Sequence, residues 1–158
     1  MHNKTLRLGA ILLLVLVGVF IIDQQIKMLF VDGFRYYTEW MDFILVYNKG
    51  VAFSMFAFLQ DWLKYIQLIL VMGVLVYVFY LKEICYAFPA GLLVGGAFSN
   101  IYDRFIHGGV VDMFYYHAWP YPIYGQNGFA VFNFADVMID IAVAWILLLN
   151  FKPKFCKS

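Results

Sequence analysis

The chain has 158 residues, of which 65% are hydrophobic and 13% are charged, and its net charge is +1. Soluble domains average about 45–50% apolar and about 25% charged residues. The composition therefore excludes an ordinary soluble domain and predicts a membrane protein with a single domain, residues 1–158. The near-neutral charge gives no indication of a nucleic-acid partner.

Four segments are long and apolar enough to cross a bilayer, which requires about 20 residues. They cover about residues 6–30, 62–81, 86–106 and 134–151. The first starts with Lys4 and Arg7, as a signal peptide does, but its apolar run is too long and no small-residue cleavage site follows. We predict that it is retained as a transmembrane helix.

Basic residues mark one side of the predicted bundle. Cytoplasmic segments carry an excess of Lys and Arg, so the pattern predicts that both termini are cytoplasmic. Cys85 and Cys156 fall on the same side, where thiols are expected to stay reduced. The basic residues precede the first helix, separate the second from the third, and follow the fourth: Lys4, Arg7, Lys82, Lys152, Lys154 and Lys157.

The two remaining connections, residues 31–61 and 107–133, are then expected to be extracytoplasmic. Residues 43–47 predict a short strand, and Asn48-Lys49-Gly50 predicts a turn. Residues 51–59 are apolar but too few to span, so we expect them to lie on the membrane surface. The second connection is rich in aromatic residues, which suits the headgroup region. His107 and His117 are too weak a signal to predict a metal site.

Ionisable residues within or beside the spans need an explanation, because a carboxylate at the bilayer centre costs about 2.5–3.5 kcal/mol. By the predicted topology, most of them lie near the outer membrane face. They are Asp23, Lys27, Asp103, Arg104, Asp112, Asp136 and Asp140.

A structural role explains several of these residues taken alone. Asp23 and Lys27 have the i, i+4 spacing of a helical ion pair. Asp103 can cap its helix or pair with Lys27. Arg104 can extend towards the membrane interface.

The start of the fourth helix has a comparable structural explanation. Asn133 and Asp136 occupy the N-cap and third positions, where they would satisfy free N–H groups. Asp112 alone would be an ordinary loop acid. Together, however, two aspartates from different segments, with amides and an arginine nearby, form a candidate acid–base site. Close carboxylates share a proton, so one can accept a proton from water while the other donates to a peptide carbonyl.

Five motifs, in order along essentially the whole chain, resemble those of bacterial lipoprotein signal peptidases (signal peptidase II). One such motif is weak evidence, whereas five at the right places on a four-helix topology are specific. Two positions depart from the family pattern: Ser99 stands where glycine is usual, and Met113 where phenylalanine is common. The motifs are Asp23-x-x-x-Lys27, Asn48-x-Gly50-x-Ala52-Phe53, Gly95-Gly96-Ala97-x-Ser99-Asn100-x-x-Asp103-Arg104, Gly108-x-Val110-x-Asp112 and Phe132-Asn133-x-Ala135-Asp136.

The resemblance implies a membrane α-helical fold: four transmembrane helices with N- and C-termini cytoplasmic, a small extracytoplasmic β-cradle and a short interfacial helix. The strand at residues 43–47 would belong to the cradle. Residues 51–59 would form the interfacial helix and could close over the site. The resemblance also implies a multi-pass protein of the bacterial inner membrane with its active site near the extracytoplasmic face.

The activity implied is that of an aspartic endopeptidase. It would remove signal peptides from diacylglyceryl-modified prolipoproteins, cutting on the amino side of the lipidated cysteine. Prolipoproteins and membrane lipid are the expected partners, and we expect a monomer without a cofactor. The resemblance places the catalytic pair at Asp112 and Asp136, substrate-binding positions at Asn48, Asn100, Arg104 and Asn133, and supporting positions at Asp23, Lys27, Gly50, Asp103 and Ala135.

Two other functions stay open. Asp136 and Asp140 are spaced i, i+4 on the fourth helix, with Lys27 near the same depth, which is also typical of a small proton- or ion-translocating protein. A scaffold without activity is the other alternative, and the intact aspartates and amides argue against it. Asp140 lies outside the motifs, and we predict that it points into the bundle and is not catalytic.

Overall fold

The computed structural model describes residues 2–50, 59–117, 130–151 and 156. Most of the predicted interfacial helix and the middle of the second connection lie outside these residues. The helices and strands are α1 (His2–Val31), β1 (Tyr36–Tyr37), β2 (Met41–Asn48), α2 (Gln60–Leu81), α3 (Ala87–Ile106), β3 (Val110–Tyr116) and α4 (Phe134–Phe151), with a 3₁₀ turn at Ile84–Tyr86.

The four α-helices are each long and apolar enough to cross a membrane. Their bounds agree closely with the four predicted spans, so this part of the prediction is confirmed. The chain is a multi-pass membrane protein.

Helix α3 is the centre of the bundle. In its most apolar stretch 61% of the residues are buried, against 17% in each of the other three helices. Glycines let neighbouring backbones approach it closely. A Cβ atom on Gly95 would lie 2.8 Å from the carbonyl oxygen of Leu16 in α1, and one on Gly96 would lie 2.7 Å from that of Ala135 in α4.

The three strands form one antiparallel sheet in the order β1-β2-β3. Strand β2 extends the predicted strand at both ends, whereas β1 and β3 were not predicted. In the β2–β3 register, Asn48 is opposite Val110 and Val46 is opposite Asp112. Asn48 and Asp112 are therefore diagonal neighbours, within reach of each other's side chains.

The sheet packs against the end of α1 through an apolar cluster. Phe30 on α1 and Val111 and Met113 on β3 are its buried members. Phe132, just before α4, adds an isolated bridge to Phe114 on the same strand. These contacts bring β3 and the start of α4 to the same end of the bundle.

The opposite end of the bundle holds the start of α1 and the α2–α3 connection. Lys4 forms an exposed ion pair with Glu83, with 3.0 Å between Nζ and Oε2. Cys85 and Cys156, whose Cα atoms are 5.4 Å apart, are joined in a disulfide. The expectation that both thiols stay reduced is therefore wrong, because the fold brings Cys156 within disulfide range of Cys85 in the α2–α3 connection. Their placement at one end of the bundle is confirmed.

Candidate active site

Asp112 lies on β3 with its side chain buried. Its two carboxylate oxygens accept hydrogen bonds from two asparagine amides. Nδ2 of Asn133 is 2.8 Å from Oδ1, and Nδ2 of Asn48 is 3.0 Å from Oδ2. The expected loop acid is thus a strand residue in a fixed orientation.

Asp136 lies in the first turn of α4, where it forms a reciprocal cap with Asn133. The Asp136 backbone N–H donates to Oδ1 of Asn133 at 2.9 Å, and the Asn133 N–H donates to Oδ2 of Asp136 at 3.1 Å. This is the geometry of a capping box, with an aspartate in place of the usual glutamate. The predicted capping role is confirmed, and the other carboxylate oxygen accepts a hydrogen bond from Asn100.

Asn100 connects the aspartates to the interior of the bundle. Its Nδ2 donates to Oδ1 of Asp136 at 2.9 Å, and its Oδ1 accepts from Nζ of Lys27 at 2.9 Å and from Nδ2 of Asn133 at 3.0 Å. Asn133 is therefore bonded to both aspartates and to Asn100. Three predicted asparagines converge on the two carboxylates, and each directs an amide nitrogen at one of them.

The environment of Asp112 favours its protonated form. Burial raises its pKa most, and the charge of Asp136 raises it further. The hydrogen bonds from Asn48 and Asn133 and the charge of Lys27 act in the opposite direction. The balance raises the pKa of Asp112 to about 7. A carboxyl with this pKa can donate a proton near neutral pH.

Lys27, Asp23 and Asp103 form a buried ionic group, which we call the Lys27 cluster. Nζ of Lys27 is 2.6 Å from Oδ2 of Asp23 and 2.7 Å from Oδ2 of Asp103. All three side chains are almost fully buried. The predicted i, i+4 pair and the predicted pairing of Asp103 with Lys27 are both confirmed, and α1 is thereby tied to α3.

Each acid of the Lys27 cluster also holds the backbone next to one of the candidate catalytic aspartates. Oδ1 of Asp23 accepts from the N–H of Ala135 at 2.8 Å, one residue before Asp136. Oδ2 of Asp103 accepts from the N–H of Val111 at 3.1 Å, one residue before Asp112. The cluster therefore fixes both backbones that carry the pair, which gives the supporting positions a physical role.

Arg104 holds the loop that follows β2. Its guanidinium donates to the carbonyl oxygens of Lys49, at 3.4 Å, and of Gly50. The Gly50 N–H in turn donates to Oδ1 of Asn48 at 3.0 Å, which confirms the predicted turn. Arg104 is buried rather than extended to the interface. In the described residues it orients the loop that directly follows Asn48.

Three polar residues at the site were not predicted to take part in it. Gln67 on α2 accepts from Nε of Arg104 at 3.1 Å. Gln24 and Ser99 contact the acids of the Lys27 cluster. A polar side chain inside a transmembrane helix requires a partner, and this signal in the sequence could have identified all three.

Asp140 does not point into the bundle, so that prediction is wrong. Its side chain is exposed on α4. Helix α4 presents Ala135, Ile139 and Ala142 to its neighbours, and at about 100° per residue Asp140 falls on the far side of that face. It takes part in none of the hydrogen bonds or ion pairs of the described residues.

The two histidines beside the sheet lie apart. The ring of His107 is 5.8 Å from that of Tyr47, whereas Nε2 of His117 is 3.4 Å from Oδ1 of Asp42, near the other end of β2. Within residues 2–50, 59–117 and 130–151, no three or more metal-binding side chains come together.

Comparison with known proteins gives a consistent result. A family model described as signal peptidase (SPase) II matches residues 15–152. The lipoprotein signal peptidase of Sulfurimonas denitrificans is 70% identical over 158 residues, covering 100% of this chain and 99% of that protein. The one from Sulfurovum sp. is 55% identical over 154 residues, covering 94% and 99%, and the one from Helicobacter pylori strain P12 is 47% identical over 145 residues, covering 88% of each.

Solved structures share the fold. A bacterial membrane enzyme determined by the in meso method superimposes with a TM-score of 0.73 at 25% identity, covering 93% of this chain and 91% of that one. A second such structure gives a TM-score of 0.72 at 23% identity, covering 89% and 92%, and bears on the fold alone. The family model and the full-length relatives together show that the chain belongs to the signal peptidase II, or lipoprotein signal peptidase, family.

Proposed function

We propose that this protein is an aspartic peptidase that removes signal peptides from prolipoproteins, with Asp112 and Asp136 as its catalytic residues. The substrates carry a diacylglyceryl group on a cysteine, and the cut falls on the amino side of that cysteine. One observation carries the proposal: two carboxylates from separate elements, β3 and α4, are both bonded to Asn133. This arrangement supports general acid–base hydrolysis by the two carboxylates.

The proposed reaction needs one proton shared by the pair. The ionised carboxylate takes a proton from water while the oxygen of that water attacks the peptide carbonyl carbon. The protonated carboxyl donates its proton to the carbonyl oxygen, which gives a neutral tetrahedral diol. The C–N bond then breaks as the leaving nitrogen gains a proton from one carboxyl and a diol hydroxyl returns a proton to the other, so the pair again holds one proton. The pKa of Asp112, about 7, supports Asp112 as the residue that holds the proton.

The site is proposed to face the extracytoplasmic side of the inner membrane. The Lys and Arg distribution supports this orientation, and a lipid-anchored substrate presents its scissile bond at the level of the interface. Asn48, Asn100, Arg104 and Asn133 are the proposed substrate contacts. They already hold the carboxylates or the β2 loop, so they can bind substrate only with groups left free by those bonds. We propose a monomer that acts without a cofactor.

Cleavage of a defined substrate tests the function. Purified protein in detergent should convert a diacylglyceryl-modified prolipoprotein into a free signal peptide and a product that begins with the lipidated cysteine, as measured by intact mass. The same prolipoprotein without the diacylglyceryl group is the matched control and should remain uncut. Cleavage at another bond, or equal cleavage of both substrates, would contradict the proposed specificity.

The Asp140→Asn variant distinguishes the peptidase from the alternative ion-translocating function. Because its side chain is exposed and outside the site, we expect Asp140→Asn to cleave within about twofold of the wild-type rate, as surface substitutions usually do little. A loss as complete as that of Asp112→Asn would contradict this assignment. Proton flux through liposomes containing the protein, without cleavage, would instead support translocation.

The pH dependence of cleavage is a further prediction. Asp112 loses its proton as the pH rises through about 7, and both carboxylates are then ionised with none left to protonate the substrate carbonyl. We therefore expect kcat/KM to fall on the alkaline side of about pH 7. The Asn48 hydrogen bond lowers the pKa of Asp112, so Asn48→Ala should move the fall in activity to higher pH.

The control for this measurement is Asn150→Ala, which removes an exposed asparagine in the last turn of α4. It should leave the pH profile unchanged. Activity that rises through pH 7 in the wild type would contradict a reaction that needs one proton on the pair. A profile in Asn48→Ala that moves to lower pH would show that Asn48 does not act through Asp112.

A further inference from the structure

Two side chains complete the hydrogen bonding of the Lys27 cluster. The hydroxyl of Ser99, which is fully buried, donates to Oδ2 of Asp23 at 2.7 Å. The amide of Gln24 donates to Oγ of Ser99 and to Oδ1 of Asp103, both at 2.8 Å. Gln24 and Ser99 therefore form a second link between the two acids of the cluster, in addition to Lys27.

The bonds from Gln24 and Ser99 help to fix the orientations of the Asp23 and Asp103 carboxylates. In the described part of the chain, the only hydrogen bond to Oδ1 of Asp103 comes from Gln24, while its Oδ2 binds Lys27 and the Val111 N–H. Without Ser99, Oδ2 of Asp23 would keep only Lys27. A buried carboxylate that loses a donor bears a desolvation cost, and it can reduce that cost by rotating towards another donor.

Rotation of either acid would weaken its bond to the backbone beside the catalytic pair. Asp23 holds the N–H of Ala135, and Asp103 holds that of Val111. A displacement of about 1 Å in catalytic groups can lower a rate by about 100-fold, so small changes in these two bonds have a large effect on chemistry. We expect little effect on substrate binding, since the hydrogen bonds of Gln24 and Ser99 in the described residues go to each other and to Asp23 and Asp103, and to none of the proposed substrate contacts.

We propose that Gln24 and Ser99 are positioning residues for the reaction, which hold Asp23 and Asp103 in the orientations that set the geometry of Asp112 and Asp136. Ser99 stands at a position where the family resemblance places glycine, so one of the two proposed positioning residues lies outside the shared motif. The inference rests on the proposed catalytic roles of the two aspartates.

The first test replaces Gln24. Gln24→Met keeps the length of the side chain and removes the amide, and Gln25→Met is the matched control because Gln25 is its exposed neighbour on α1. We expect Gln24→Met to lower kcat by about 10-fold with KM unchanged, as a modest displacement of the catalytic groups would. Gln25→Met should match the wild type in both constants.

The second test isolates the hydroxyl of Ser99. Ser99→Ala removes it, and we expect kcat to fall with KM unchanged. Ser99→Thr and Ser99→Val have the same shape and differ only in the hydroxyl, so Thr should retain the higher kcat even if both pack less well than serine. The double variant Gln24→Met/Ser99→Ala should lose less than the product of the two single losses, because the residues act on the same pair of acids.

The outcomes separate this inference from the proposed function. If Asp112→Asn or Asp136→Asn stays fully active, the proposed function fails. If those variants are inactive while Gln24→Met and Ser99→Ala keep the wild-type kcat, only the positioning role is overturned. A change in melting temperature with kcat unchanged, a loss confined to KM, or equal activity of Ser99→Thr and Ser99→Val would also overturn it.

Discussion

Asp112→Asn and Asp136→Asn are each expected to lower kcat for prolipoprotein cleavage by at least about 1,000-fold. General acid–base catalysis by a positioned side chain contributes about 10²–10⁴-fold, and here each residue would perform one half of a coupled proton transfer. An asparagine keeps the shape of aspartate but can neither give up nor accept the proton. The measurement is single-turnover cleavage with excess enzyme, which detects slow residual chemistry.

The losses should not multiply. When residues act as a unit, removing one costs about as much as removing both. The Asp112→Asn/Asp136→Asn double variant is therefore expected to be no more than a few-fold slower than the slower single variant. Two independent, multiplying losses would indicate that the residues act in separate steps.

The control for this experiment uses another acid of the same chain. Asp32→Asn changes an exposed residue that follows α1 and should cleave at the wild-type rate. Folding can be checked independently, because Asp112→Asn removes a carboxylate that burial disfavours in its charged form. Above about pH 7 this variant is expected to melt at a higher temperature than the wild type. Full activity in either single variant would contradict the proposed pair.

The helices could be predicted closely from the sequence, whereas the strand that carries Asp112 could not. A bilayer imposes a length on each span, so the bounds follow from hydropathy alone. Residues 110–116 contain two valines, a phenylalanine and two tyrosines, which favour a strand, but their partners in β2 lie 62 to 75 residues earlier in the chain. Such long-range pairing and its register depend on packing against α1, which the local sequence does not specify.

At the site, too, some features could be predicted from the sequence and others could not. The predicted topology placed Asn100, Arg104 and Asp136 at one depth, because helix direction fixes which ends lie together. It could not indicate that Arg104 would hold backbone carbonyls, or that Asp23 would reach the N–H of Ala135 in another helix. Those contacts depend on the rotation of each helix about its axis.

Asp140 shows that the spacing of residues along a helix does not determine how the helix is rotated in the bundle. The cost of exposing a carboxylate to lipid favoured an inward side chain, but the i, i+4 spacing only relates Asp140 to Asp136. The rotation of α4 is fixed instead by the small residues Ala135 and Ala142, which pack against the bundle. Asp136 is near the edge of that face, and a further turn carries Asp140 beyond it.

Lys27→Met is expected to cause the largest loss of stability of any single substitution considered. The ammonium of Lys27 lies between two carboxylates that are almost fully buried. Removing one partner of a buried ionic group leaves an uncompensated charge, which typically costs about 3–5 kcal/mol. The bond from Lys27 to Asn100 is lost as well, so cleavage should fall with stability. Thermal unfolding in detergent measures the first effect and cleavage at low temperature the second.

The chain offers a matched control and a rescue. Lys4→Met breaks the ion pair with Glu83, whose partners are 47% and 43% exposed, and such a pair contributes less than about 1 kcal/mol. The second substitution, Asp23→Asn, removes one of the two charges that Lys27→Met leaves uncompensated. The side-chain oxygen of the new asparagine can still accept from the Ala135 N–H. The double variant should therefore melt at a higher temperature than Lys27→Met alone. If Lys27→Met were no more destabilising than Lys4→Met, the Lys27 cluster would not be a structural support of the site.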